Sequence, residues 1–133
     1  MAPAKPLIVL LLCAAGCLAW ADETSPAGLW RGESKCLTDA PACHDEQVVY
    51  TIKAVPNRPD QFLIRADKIV DGRTITMGEG PWAWDEKKQT LTFDQKERVW
   101  LMTLSGDRMD ATLTLADGTL FRRMRLTRDQ APK

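Results

Sequence analysis

The chain has 133 residues and carries 18 Lys and Arg against 18 Asp and Glu, so its formal charge is zero. That length accommodates a single domain, and the charge balance argues against nucleic acid as a partner and against a polybasic membrane contact.

At the N-terminus, Lys5 gives a positive start, residues 7–15 are a short apolar run, and Ala19-Trp20-Ala21 offers a small-x-small cleavage site before Asp22. Residues 1–21 therefore read as a signal peptide, too short to cross a bilayer as a helix. The protein is expected to be exported, either to a periplasm or as a secreted protein. Ala14-Ala15-Gly16-Cys17 supports a second reading, a lipobox in which Cys17 becomes the lipidated first residue, although leucine is more usual where Ala14 stands. Under that reading the protein is an outer-membrane lipoprotein, and its acyl chains are its route to a membrane. Residues 22–27, with Pro26, form a short polar tether, and the domain spans residues 28–129.

Eight strand-like runs follow: 29–36, 47–55, 61–69, 74–84, 90–94, 99–104, 109–115 and 119–127. Turn chemistry separates them. Pro56-Asn57-Arg58-Pro59-Asp60, Asp71-Gly72, Asp85-Glu86-Lys87-Lys88 and Ser105-Gly106-Asp107 are turn signals, and Asp117-Gly118 predicts a two-residue type I′ hairpin. A spacing of roughly twelve residues between runs suggests a sandwich or barrel. Consecutive hairpins favour an up-and-down order. Eight strands close into a barrel that side chains just fill or that holds one small ligand, and closure removes the exposed edges. The expected fold class is all-β: a single eight-stranded antiparallel up-and-down barrel, with an open sandwich as the alternative.

Strand faces follow from period two. In the first run Arg31, Glu33 and Lys35 are charged, so Trp30, Gly32, Ser34 and Cys36 point inward. In the seventh, Met109, Ala111, Leu113 and Leu115 form the inward set. The sixth is apolar on both faces, Trp100, Met102, Leu104 and Val99, Leu101, Thr103, and its phase stays open. In the eighth, Leu120, Met124 and Leu126 share a face with Arg122 and Arg128. A charge on an apolar face needs a partner or a polar cavity. Arg122 either points inward toward a ligand or pairs with an acid such as Asp110. Because the last strand runs antiparallel to the first, Arg128 falls near Trp30, a contact that would combine cation–π attraction with aliphatic packing.

Cys36 and Cys43, an even pair in an exported domain, read as a disulfide. The small loop they close gives roughly 2–3 kcal/mol in the chain-entropy model. No metal is expected, because two cysteines and His44 supply three protein ligands at most. Cys43-His44-Asp45-Glu46 reads as loop surface, and Asp67-Lys68 as a surface ion pair or ladder partner. No serine or cysteine has an evident histidine base, and there is no phosphate loop between a strand and a helix, so neither enzyme nor cofactor is expected. Pro81 implies an edge or bulge. Trp82 and Trp84 share one face and either line a hydrophobic ligand site or serve as core. Space for a ligand would come from the small inward residues Gly32, Ser34 and Ala111.

Gly28-x-Trp30 at the head of the first strand of a small all-β exported domain resembles the calycins, the lipocalin-like barrels. The resemblance implies a barrel whose end is closed by an arginine of the last strand packed over the tryptophan. Arg128 matches by position and parity, and Arg125 is the second candidate. It also implies that an inward Arg122 could receive a ligand carboxylate, as arginines inside fatty-acid-binding barrels do. The wider pattern resembles a family of small exported bacterial proteins of unassigned function. That pattern is Gly28-x-Trp30-x-Gly32-x-Ser34-x-Cys36, Cys43-x-Asp45-Glu46, Asp67-Lys68-Ile69-Val70, Met77-Gly78, Trp100 and Asp117-Gly118-Thr119. The function expected is a non-enzymatic carrier of a small apolar or amphipathic ligand, with Trp82, Trp84 and Arg122 at its site and Gly28, Trp30 and Arg128 in structural roles. The alternative is a protein-binding module, similar to the bacterial metalloprotease inhibitors, working through its surface or residues 22–27.

Overall fold

Polar–apolar alternation becomes the outside and inside of a barrel. The computed structural model describes residues 2–4 and 25–129; Cys17, most of the expected signal and the start of the tether lie outside the described residues. The strands are β1 (Gly28–Cys36), β2 (Glu46–Val55), β3 (Arg58–Val70), β4 (Arg73–Asp85), β5 (Thr90–Asp94), β6 (Arg98–Ser105), β7 (Arg108–Leu115) and β8 (Leu120–Arg128). Each pairs antiparallel with its neighbours in sequence, and β8 returns to β1 to close the barrel. The described residues contain no helix. Cys36 and Cys43 are joined as a disulfide.

Asp71-Gly72 forms the turn expected of it, and two other turns differ from expectation. Val70 pairs with Arg73 across Asp71 and Gly72, whose φ values of 50° and 75° are both positive, the signature of a type I′ hairpin. At Asp117-Gly118 only Gly118 is positive, at 87°. There the Gly118 N–H donates to the Leu115 carbonyl at 2.9 Å and the Leu115 N–H to the Thr119 carbonyl at 2.9 Å. That pattern is a four-residue turn closed by a glycine bulge, because one more residue separates the paired positions than a two-residue loop allows. The β2–β3 turn is also tighter than the sequence suggests. Asn57 takes a φ of 63°, so β3 starts at Arg58 and contains Pro59.

The inward set packs into a continuous core that includes Trp30, Ile52, Leu91, Met102, Met109 and Leu126, all nearly inaccessible. Side chains of this size contribute about 1.5–3 kcal/mol each on full burial. The open phase of β6 resolves with Met102 and Leu104 buried, while Leu101 on the other face is exposed. Buried residues concentrate at the end of the barrel where β1 begins.

At that end, Trp30 pairs in register with both Tyr50 and Arg128. The Arg128 guanidinium lies 4.4 Å from the Trp30 ring centroid. It also donates to the carbonyls of Ala27 at 2.6 Å and Ser25 at 2.8 Å, and meets Asp107 at 3.2 Å. The Trp30 indole N–H donates to the Pro26 carbonyl at 2.9 Å. Residues 25–27, expected as free tether, are thus packed into the plug, with Pro26 buried. Gly28 takes a φ of 137°, and a Cβ there would stand 3.3 Å from Arg128 Nη1. Arg125 faces outward, 3.9 Å from Asp110.

Candidate functional site

The opposite end, where β1 finishes and β2 starts, is hollow. A cavity of about 570 Å³ reaches in from it, lined by the outer halves of all eight strands and by the disulfide loop at Ala40, Ala42 and Cys43. Its size falls within the range of small-molecule sites. In a ring of eight strands β1 stands opposite β5, so the cavity has two facing walls of different chemistry.

One wall, on β1, β2 and β8, is polar. Arg122 Nη1 donates to Ser34 Oγ at 3.1 Å and Nη2 to the His44 carbonyl at 2.9 Å. Glu46 Oε2 stands 3.9 Å from Arg122 Nη1, and Glu46 Oε1 lies 3.5 Å from Lys68 Nζ. Arg122 and Lys68 therefore share the Glu46 carboxylate. Arg122 has an 11% exposed side chain, so this charge sits largely out of bulk water, where an anion would feel it more strongly. Tyr50 donates its O–H to Met124 Sδ at 3.2 Å. Burial first, and then the Glu46 charge, hold its phenol well above the usual range, so it stays neutral.

The other wall, on β4, β5 and β6, is aromatic. Trp82 stacks on Phe93 with centroids 5.4 Å apart and planes 17° from parallel, and Trp100 lies tilted at 6.4 Å from Trp82. Trp84 shares the Trp82 face but sits deeper, edge-on to Phe62 at 5.7 Å, and is not among the cavity residues.

Several expectations are corrected here. The acid beside Arg122 is Glu46, not Asp110, which lies near Arg125. Asp67 forms no surface pair with Lys68 but is a ladder partner: it is 2% exposed and accepts from Oγ1 of Thr76, opposite it on β4, at 2.7 Å and from Arg65 Nε at 3.2 Å. Consecutive strand residues point to opposite faces, which separates Asp67 from Lys68. Gly32 does not leave space: a Cβ there would collide with the Arg125 carbonyl oxygen, so this glycine allows β1 and β8 to approach. Ala111 is buried in the core, and of the three small residues Ser34 alone lines the cavity.

Sequence reasoning missed Tyr50, Glu46, Phe93, Trp100 and Phe121. Parity would have found Tyr50, Glu46 and Phe93 once the barrel was phased on Trp30, whereas Trp100 lies on β6, whose two faces are both apolar. Phe121 is the extra residue of a β-bulge, between the pairs Leu113–Arg122 and Thr114–Leu120, and a bulge breaks parity. Met77 is another, between Ala66–Gly78 and Asp67–Thr76; Pro81 sits where β4 has a ladder partner on the β3 side only, the edge position its missing N–H suggested.

No protein-family model matches the chain, and no curated protein does. Among solved structures, the siderocalin Ex-FABP, described as functioning through dual ligand specificities, superposes with a TM-score of 0.54 at 16% identity, covering 80% of this chain and 76% of its own. The barrel is lipocalin-like. A weaker likeness, TM-score 0.43 at 12% identity over 80% of this chain and 90% of the other, is to the S-type phycobiliprotein lyase CPES from Guillardia theta. At these identities the likeness is one of fold.

Proposed function

We propose that the chain is an exported, non-enzymatic barrel that binds a small amphipathic ligand in the hollow end. The observation that carries the reading is the cavity of about 570 Å³ with a cationic wall at Arg122 facing an aromatic wall at Trp82. An apolar body would lie on Trp82, Phe93 and Trp100, and an anionic or strongly polar head would meet Arg122. The lipocalin-like fold supports the reading, because Ex-FABP is described by its ligand specificities. Export rests on residues 1–21 and on the Cys36–Cys43 bridge, which suits an oxidising compartment; membership of the small exported bacterial family rests on the residue pattern from Gly28-x-Trp30 to Asp117-Gly118-Thr119.

Native mass spectrometry of the protein purified from a bacterial periplasm, before and after lipid extraction, tests this. The expected result is a small-molecule adduct that extraction removes. A clean polypeptide mass in both samples would overturn the carrier reading and turn attention to a protein partner. The same spectrum separates cleavage after Ala21 from acylation at Cys17.

A further inference from the structure

We propose that the cavity is shaped for a flat, conjugated anion lying against β4 and not for a saturated chain; this deepens the ligand-binding reading above and rests on it. Gly78 and Gly80 pair with Ala66 and Ile64, which places both on the inward face that continues to Trp82. No described atom lies within 4 Å of a Cβ built at either glycine. Over two successive inward positions the wall of the cavity is therefore bare peptide. A glycine inside a strand marks a place where something can approach the backbone closely. At Gly32 that something is β8; at Gly78 and Gly80 the space is open.

The strip of bare backbone runs directly into the aromatic wall. A saturated chain gains only contact area there. A fused ring lays its whole face on the peptide strip and stacks at offset on Trp82 or Trp100, which favours conjugated over aliphatic ligands.

The β4–β5 seam gives such a ligand room for its width. β5 pairs with β4 only at Ala83–Thr92, Trp84–Leu91 and Asp85–Thr90. Among the described residues, β4 has no second ladder partner over 73–82. Below Ala83 the two strands are bridged by the Trp82–Phe93 stack rather than by backbone hydrogen bonds. A slot bounded by side-chain contacts on one edge can widen without breaking a ladder. The cations that would meet its head are Arg122 on the far wall and Arg98; the acids of the lining are Glu46, already held by Arg122, and Glu79, whose parity on β4 is opposite to that of Gly78 and Gly80.

Isothermal titration of the purified, disulfide-bonded protein with anthracene-2-carboxylate and with dodecanoate tests the idea, because the two probes share a head group and differ in shape. The ring compound is expected to bind roughly tenfold or more tightly than the chain. Gly80→Val should weaken anthracene-2-carboxylate by roughly tenfold or more while changing dodecanoate little. Valine suits a strand, and its Cβ meets no neighbour within 4 Å there, so the variant should fold. Gly80→Ala is a smaller obstruction that keeps the test readable if valine lowers the melting temperature. Equal or tighter binding of dodecanoate, or a Gly80 substitution that weakens both probes alike or neither, overturns the slot and leaves the ligand-binding reading standing. If neither probe binds, the slot is overturned and the mass measurement decides the wider reading.

Discussion

At one end of the barrel Gly32 lies against the backbone of β8, and a methyl group there would collide with the Arg125 carbonyl. At the other end Gly80 faces space. The same residue type closes the wall in one place and hollows it in the other. The difference follows from what stands opposite: a neighbouring strand drawn in by the Trp30–Arg128 plug, or the seam where β5 has stopped following β4. Stability should therefore reside in the plugged end and binding in the hollow one.

The largest expected effect is at the plug. Trp30→Ala removes a fully buried indole and should cost about 3–5 kcal/mol in urea unfolding. Trp100→Ala, on the half-buried wall of the cavity, should cost about 1–2 kcal/mol and lower ligand affinity. Equal costs at the two positions would break the division between the ends. Next comes Gly32→Ala, which must push β1 and β8 apart and should destabilise by about 3 kcal/mol; a melting temperature matching the parent would contradict the close approach of the strands. Replacing Cys36 and Cys43 by serine should cost about 2–3 kcal/mol. Because the His44 carbonyl beyond that loop accepts from Arg122, the replacement should also weaken binding of any anionic ligand. Gly80→Ala is expected to go the other way, stabilising by about 0.4–1 kcal/mol as measured by thermal unfolding.

The smallest effect is a pH dependence at the hollow end. Hydrogen bonds from Thr119, its side chain first, hold the exposed Asp117 carboxyl below its ordinary range. A lowered folded value means a contribution present above the unfolded pKa and lost as pH falls through the folded one. The melting-temperature gap between parent and Asp117→Ala should shrink as the solution is acidified below the usual carboxylate range. A gap that holds constant across that range would refute it.

Much of the barrel was legible because β1 and β7 write their two faces in different chemistry: Arg31, Glu33 and Lys35 outside against Trp30 and Ser34 inside. β6 was not legible, since the outer face of a barrel tolerates apolar residues such as Leu101. The inward direction of Arg122 could be read from its neighbours Met124 and Leu126, but its acid could not. Glu46 is brought beside it by two separate ladders, β2 on β1 and β1 on β8. The cavity itself was hidden because glycine looks the same whether its missing side chain is replaced by another strand or by nothing. The bulges at Met77 and Phe121 re-aim residues in ways that alternation does not forecast.

The clasp of Trp30, Arg128 and residues 25–27 also sets an order of events. Arg31 and Asp129, joined at 2.8 Å, stand 98 positions apart, so the first strand waits for the last before either is paired on both sides. Until β8 arrives, β1 and β7 are open edges and Trp30 has no cover. Closure of this kind is non-local and slow. A chain that ends before Leu120 should stall as an aggregation-prone sheet. The full-length chain is a form that completes itself only when nearly all of it is present at once.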